Sequence, residues 1–192
     1  MYVALLDSCV LWPSTQRNFL LSLAFEGSYR FVLSEAILGE VEVNEEIKLI
    51  ERGDSEEQAR EKAQHLVTQM RTAFEDSIVH GWEGLEGTYG LPDPDDEHVL
   101  AAAVVGGAGS IVTDNFKDFP ETKIPFGIQI VSPQDFAYEA VGMRPDLGLA
   151  AVLAMSQRTG RNFSVHSPEE ILDTLDKLYK MDATTALIRD LL

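Results

Sequence analysis

The sequence has 192 residues, with 15 Lys and Arg against 32 Asp and Glu and a net charge of −17. A chain of this length is most simply one domain with room for a small appendage. Its charge repels phosphate backbones at long range, which argues against simple electrostatic attachment to nucleic acid. No apolar run is long enough to cross a membrane. The single cysteine, Cys9, excludes an intramolecular disulfide, so a cytoplasmic location is expected.

The acidic charge is unevenly distributed along the chain. Residues 1–139 contain 25 of the 32 acidic residues and 9 of the 15 basic residues. Solubility alone is a sufficient explanation of the total. Bound divalent cations or a basic partner would be alternative ways of offsetting the charge locally. Deciding between these explanations requires the positions of the acidic residues in the fold.

The chain begins with a predicted strand. Residues 3–6 form a continuous apolar run, which is typical of a strand that is covered on both faces. No basic region precedes Asp7, so this segment is expected to be a strand and not a signal peptide. Open α/β sheets bind their ligands at the carboxyl ends of the strands, and Asp7 lies at such an end.

Strands and helices are predicted to alternate through residue 139. The further strands are predicted at residues 29–33, 110–113 and 128–131, with a short edge strand at 78–80. Helices are predicted behind the capping residues Ser14, Ser34, Ser55 and Ser132, with another that begins near Asp95 or Asp96. This alternation predicts a mainly parallel α/β sandwich.

The C-terminal part of the sequence has a different pattern. Residues 145–158 and 167–180 are predicted as two helices with no strand between them, and the second has a capping box at Ser167 and Glu170. We therefore expect an α/β domain over residues 1–140 and a small helical appendage over residues 141–192.

Acidic residues recur at places that this topology brings together. They are Asp7 after the first strand, Glu40 in a helix, Asp96 at a helix start, and Asp114 or Asp118 after a strand. Oxygen ligands without His or Cys favour Mg²⁺ or Mn²⁺ over zinc. Taken singly, each acid has a simpler explanation, because Asp96 could cap its helix and Asp7 could be a turn residue.

Four segments, found in the right order, resemble the PIN-domain ribonuclease family, and in particular the VapC-like toxins of bacterial toxin–antitoxin pairs. They are residues 5–11, 33–41, 91–103 and 111–120. The resemblance implies a PIN-like α/β/α sandwich, with the helical appendage outside it. It also implies Mg²⁺ or Mn²⁺ as cofactor and endonucleolytic hydrolysis of RNA. A cognate antitoxin protein is the implied partner, and a homodimer is common in the family.

The resemblance also assigns roles to individual residues. Asp7, Glu40 and Asp96 match the first three acids of the family, and Asp118 matches the acid of the Asp-Phe-Pro ending. These four are the expected catalytic residues and metal ligands.

The fourth acidic position departs from the family pattern. Asn115 stands where many members have an acid, and Asp114 falls where the family varies, so both are kept as candidate metal ligands. The replacement of an acid by Asn115 affects how many metal ions the site is expected to bind tightly. Asp93 and Asp95 are candidates for groups around the ligands, although helix capping is their simpler role.

Two other functions are alternatives to this interpretation. A catalytically weak or inactive PIN fold that serves as a protein-interaction module is the main alternative, and Asn115 and the acidic charge favour it. A haloacid dehalogenase-type phosphatase would need Asp-x-Asp after the first strand, where this chain has Asp7-Ser8-Cys9.

Cys9 is expected to be a buried thiol, and His98 is expected to pack or to support a ligand. Trp82 and Tyr89 are expected to pack in their loop, with base stacking as the alternative.

Overall fold

A computed structural model describes residues 2–158 and 166–192 of the chain. The fold is of the predicted α/β class, with a sheet flanked by helices and a helical C-terminal region. In chain order the described elements are β1 (Val3–Leu6), α1 (Ser8–Leu11), α2 (Ser14–Phe25), β2 (Arg30–Val32), α3 (Glu35–Glu51), α4 (Glu56–Ala73), α5 (Glu97–Val105), β3 (Ser110–Val112), β4 (Gln129–Val131), α6 (Pro133–Met143), α7 (Pro145–Gln157), α8 (Pro168–Tyr179) and α9 (Asp182–Arg189).

The described residues fall into two compact units. The sheet unit contains residues 2–12 and 31–130, and the helical unit contains residues 13–30, 131–158 and 166–192. The second unit therefore includes α2 from the N-terminal part of the chain as well as the C-terminal helices. A domain boundary at residue 140 stays a prediction.

The sheet unit is built on a four-stranded sheet with the order β2-β1-β3-β4. β1 and β3 pair in parallel, with Leu5 opposite Ile111 and Leu6 opposite Val112. These apolar residues are fully buried, as expected for central strands that are covered on both faces. The pairing brings the carboxyl ends of β1 and β3 to the same edge of the sheet.

Helices with identifiable caps surround these strands. Ser34 accepts a hydrogen bond from the Ile37 amide at the start of α3, and Ser55 and Gln58 form the predicted capping box at the start of α4. α3 packs along α4, while α5 packs on β1 and β3. These contacts place α5 against the two central strands.

The helical unit has its own apolar core. In it α2 packs on α7 and α8, and α6 packs on α7 and α9. Tyr29 is buried, donates a hydrogen bond of 2.9 Å to the Leu20 carbonyl, and meets Phe136 edge to face with 4.7 Å between the ring centroids. Among the described residues, no helix is long and apolar enough to span a membrane.

Three predicted details of secondary structure were wrong. Ser14 is the first residue of α2 and not its cap, because Pro13 occupies the capping position. Residues 78–80 form no strand, since only Ile78 makes an isolated parallel bridge, to Leu33. The C-terminal region contains α9 in addition to the two predicted helices. Met181 precedes α9 and makes no side-chain capping bond, so no capping signal marks the start of this helix in the sequence.

The packing around the end of α5 generates a prediction. A Cβ atom at Gly106 would lie 2.8 Å from Val79 Cγ2, 3.0 Å from the Ala102 carbonyl oxygen and 3.0 Å from Val32 Cγ2. We expect Gly106→Ala to lower the free energy of unfolding by about 1–3 kcal/mol, because the backbone oxygen cannot move aside. The measurement is urea unfolding in EDTA.

Gly39→Ala is the matched control for this substitution. Gly39 lies inside α3, and its added Cβ would meet nothing within 4 Å. The control should therefore raise the free energy of unfolding, by up to about 1 kcal/mol through helix propensity. Equal effects of the two substitutions would show that the close approach at Gly106 does not matter.

Candidate functional site

The site begins with Asp7, at the carboxyl end of β1. Its amide donates to the Val112 carbonyl at 3.1 Å, so the β1–β3 pairing continues up to the carboxylate-bearing residue. Asp7 is only 4% exposed. The hydroxyl of Thr113, the residue after β3, donates to Asp7 Oδ2 at 2.6 Å. The Asp7 carboxylate is thus buried and held by a neutral donor.

A tight acidic cluster lies at the start of α5. Oxygen atoms of Asp93, Asp96 and Asp118 all fall within 4.8 Å of one another. Asp118 is buried, in the turn that follows β3, whereas Asp96 is partly buried at the position before α5. Asp93 also caps the backbone amide of Asp95 at 3.0 Å. The capping predicted for Asp93 and its place in an acidic cluster are therefore compatible.

Two of the predicted acids, Asp7 and Glu40, are outside the tight cluster but act on Asp96 through their charges. The pKa of Asp96 is raised from its ordinary 3.8 to about 6. Burial is the largest cause, and the charges of the neighbouring acids contribute to the same rise; these acids are Asp7, Asp118, Asp93 and Glu40. Four carboxylates on different parts of the sheet unit therefore disfavour ionisation of Asp96.

Asn115 contacts the cluster through its side-chain amide. Its Nδ2 donates to Asp96 Oδ2 at 3.1 Å, and its backbone amide donates to Thr113 Oγ1 at 2.9 Å. Asp114 is placed differently, because its residue is exposed and its backbone amide donates to Cys9 Sγ. The structure therefore brings Asn115 to the acids and leaves Asp114 outside the tight group.

Glu40 approaches the site from α3. His98 on α5 is buried, and its Nε2 lies 2.7 Å from Glu40 Oε1. Burial raises the pKa of Glu40, but hydrogen bonds from His98 and Ser8 outweigh burial and hold that pKa below its ordinary value. Burial lowers the pKa of His98, yet the bond to Glu40 and its charge leave that pKa above its ordinary value. The sequence predicts that His98 packs or supports a ligand, but it does not indicate that Glu40 is its hydrogen-bond partner.

Cys9 lies beside Asp7 but has no nucleophilic character. Its Sγ is 3.3 Å from Asp7 Oδ2 and 3.3 Å from Thr113 Oγ1. Burial, and then the charge of Asp7, raise the pKa of the thiol to about 12. The thiol therefore stays protonated at neutral pH, although Cys9 is only partly buried and not fully buried as predicted.

Trp82 and Glu97 fasten the glycine-rich loop to α5. Both are buried, and the Trp82 ring lies 5.9 Å from the His98 ring. Glu97 accepts hydrogen bonds from the amides of Tyr89 at 3.0 Å and Leu91 at 2.8 Å. Trp82 therefore packs in the loop as expected, and Glu97, next to Asp96, has a structural role.

The chemistry of this donor set fits a hard divalent cation. All members of the tight cluster offer carboxylate oxygens, the ligands that Mg²⁺ and Mn²⁺ prefer. Within residues 2–158 and 166–192, no Lys or Arg forms an ion pair with Asp7, Asp93 or Asp96. Asp118 has a Lys117 ammonium at 3.4 Å, but that lysine is 83% exposed. The cluster thus keeps negative charge that a cation can neutralise.

Comparison with known proteins identifies the family to which the chain belongs. The family model described as PIN domain matches residues 4–117, which is more than half of the chain. The chain therefore belongs to the PIN domain family, and the α/β fold inferred from its sequence is confirmed.

One curated relative is the protein named "Putative ribonuclease VapC50" from Mycobacterium tuberculosis (strain ATCC 25618 / H37Rv), which is 39% identical over 61 residues. The aligned segment is 31% of this chain and 36% of the relative, so the match spans about a third of the relative's length. No solved structure matches the chain at a significant level.

The raised pKa of Asp96 predicts a pH-dependent stability of the metal-free protein. Folding favours the protonated form, so the contribution of this group to stability falls as the pH rises from about 4 through about 6. Asp96→Asn removes this loss while keeping an oxygen that accepts from Asn115. Because Asp96 is partly exposed, we expect the variant to be more stable than the parent by only about 1 kcal/mol at about pH 7.5.

Urea unfolding in EDTA at about pH 4 and about pH 7.5 measures this difference. Asp95→Asn is the control, because Asp95 is exposed and the charge change is the same. An Asp96→Asn variant that is less stable than the parent at the higher pH would contradict the prediction. A difference that is the same at both pH values would also contradict it.

Proposed function

We propose that the chain is a divalent-metal-dependent endoribonuclease and the toxin of a toxin–antitoxin pair. The observation that supports the proposal is the tight cluster of Asp93, Asp96 and Asp118, together with the charges of Asp7 and Glu40 that act on Asp96. Membership of the PIN domain family and the partial similarity to a protein named as a ribonuclease support it.

Asp7, Glu40, Asp96 and Asp118 would hold the metal, with Asn115 and Asp93 beside them. A bound Mg²⁺ or Mn²⁺ supplies positive charge that lowers the pKa of a water molecule and stabilises the charge that develops on a phosphodiester. Thr113 fixes the orientation of Asp7 through its 2.6 Å hydrogen bond. Burial of Asp7 and Asp118 limits the water around the carboxylates, which strengthens their interaction with a cation.

The same carboxylates govern access of the substrate. With a chain net charge of −17 and four acids at the site, a phosphate group is repelled unless the charge is first offset. The metal ion is therefore required for RNA to approach as well as for hydrolysis. Lys117, exposed beside Asp118, is a further positive group next to the site.

The acidic charge also bears on the protein partner that we propose. An antitoxin with basic residues would complement the sheet unit electrostatically and would compete with metal and RNA for the carboxylates. A homodimer and a cytoplasmic location belong to the same proposal. They follow from similarity to the family.

A second candidate is a PIN fold that binds another protein and has little or no turnover. Asn115 favours it, because a neutral amide donates to Asp96 where many relatives in the family pattern have an acid. This candidate predicts metal binding or partner binding without hydrolysis, which distinguishes it from the first.

Cleavage of a mixed RNA pool with Mg²⁺, with Mn²⁺ and with EDTA tests the nuclease. We expect products only with metal, and we expect Asp7→Asn to reduce their rate of formation by at least roughly 100-fold, because the buried charge that would hold the cation is lost. Asp95→Asn, at an exposed site outside the cluster, should cleave like the parent. Products that persist in EDTA or in a folded Asp7→Asn variant would contradict the assignment. An uncut pool with Mn²⁺ binding retained would favour the second candidate.

Asn115→Asp tests whether the departure from the family pattern weakens the metal centre. Without metal, the hydrogen bond to Asp96 is replaced by repulsion between like charges, so the free energy of unfolding should fall by about 1–2 kcal/mol. With Mn²⁺ the added carboxylate should increase the rise in melting temperature relative to the parent. The control is Asn18→Asp on exposed α2 surface. A smaller Mn²⁺-induced rise in Asn115→Asp would show that Asn115 does not face the cation.

A further inference from the structure

The strongest unexplained contact near the site is the one between His98 and Glu40. His98 is 6% exposed and lies on α5, two residues after Asp96, whereas Glu40 lies on α3. The 2.7 Å distance from His98 Nε2 to Glu40 Oε1 is a close hydrogen bond between two elements that are far apart in sequence. Ser8 on α1 also hydrogen-bonds the Glu40 side chain. Glu40 is therefore held from two elements other than its own.

The other ring nitrogen of His98 has no such use. Nδ1 is buried and has no hydrogen-bond partner among the residues that the structure describes. The neighbouring Trp82 ring, with its centroid 5.9 Å away, offers a packing surface. A buried polar atom without a partner costs stability. An apolar side chain would fill this place without that cost, so stability alone does not explain a histidine here.

The tautomer follows from these surroundings. A neutral imidazole donates from one nitrogen and accepts at the other. Since Glu40 Oε1 is an acceptor, a hydrogen must be on Nε2, and in the neutral ring Nδ1 then carries an unused lone pair. Neither nitrogen is open to a metal ion, because Nε2 is engaged and Nδ1 is inaccessible. His98 is thus placed to act on Glu40 and not on a cation.

We propose that His98 is a positioning residue that orients the Glu40 carboxylate for a divalent cation. The Nε2–H group fixes one oxygen of Glu40, so that the carboxylate is presented in one orientation when the cation binds. Glu40 needs such a fixed partner because its side chain is 40% exposed and a free glutamate samples many rotamers. This inference rests on the metal centre of the proposed function, and it adds a residue that is not itself a ligand.

The test compares two amide substitutions that differ only in reach. His98→Gln can place its Nε2–H group near the position of the imidazole Nε2–H group, whereas the shorter His98→Asn cannot reach Glu40. The readout is the Mn²⁺ dissociation constant of the RNA-free protein, from calorimetry or electron paramagnetic resonance. We expect His98→Asn to raise the constant roughly 10–100-fold and His98→Gln to restore most of the loss.

A double-mutant cycle with Glu40→Gln separates positioning from a general structural effect. If His98 acts through Glu40, then His98→Asn should change the Mn²⁺ dissociation constant by less than about twofold in the Glu40→Gln background. An equal loss of affinity in both backgrounds would overturn the proposal. Parent-like affinity of His98→Asn would also overturn it.

Two further measurements keep the result interpretable. Nitrogen-15 chemical shifts of the parent imidazole in EDTA report the tautomer directly, and a ring with its hydrogen on Nδ1 alone would overturn the proposal even if the variants fail to fold. Asp7→Asn serves as the reference for the metal centre. If Asp7→Asn weakens Mn²⁺ binding and His98→Asn does not, only this inference fails. If neither affects Mn²⁺ binding, the proposed metal-dependent function fails with it.

Discussion

The parallel pairing of β1 with β3 is the constraint on which the candidate site depends. It sets Leu6 opposite Val112 and continues through the Asp7 amide to the Val112 carbonyl. As a result, Asp7 and Thr113 leave their strands side by side, and a hydroxyl meets a carboxylate that is 106 positions away in sequence. A slip of one residue in this register would turn one of the two side chains to the other face of the sheet and so separate them. The apolar sequence of β1 and β3 therefore positions the polar residues that follow.

Much of this arrangement could be predicted from the sequence, because it follows from local patterns. Continuous apolar runs identify buried parallel strands, and the acids that follow them must lie at one edge of the sheet. The approximate start of α5 follows from the prolines that precede Asp96. The charges of Asp7 and Glu40 act on Asp96 in the structure, whereas the roles of these three acids as metal ligands stay a prediction.

The features that could not be predicted depend on contacts between distant elements. The spacing of His98 from Asp96 gives no information about Glu40, because that contact is set by how α5 and α3 meet. Asp93 has an adequate local explanation as a cap, and only the three-dimensional structure adds its closeness to Asp118. The helix α9 was missed for a local reason, since no capping side chain marks its start at Met181.

The groups that hold the site acids explain why the cluster keeps its charge. Thr113, Ser8 and Asn115 donate hydrogen bonds to Asp7, Glu40 and Asp96. Each is a neutral donor that fixes the orientation of a carboxylate without cancelling its charge. An Arg or Lys at these places would satisfy the carboxylates permanently and would exclude a cation. Burial of Asp96, together with repulsion from the neighbouring carboxylates that no fixed cation relieves, accounts for its raised pKa. A site built in this way costs stability in the absence of metal, and under the proposed function a divalent ion would recover that free energy on binding.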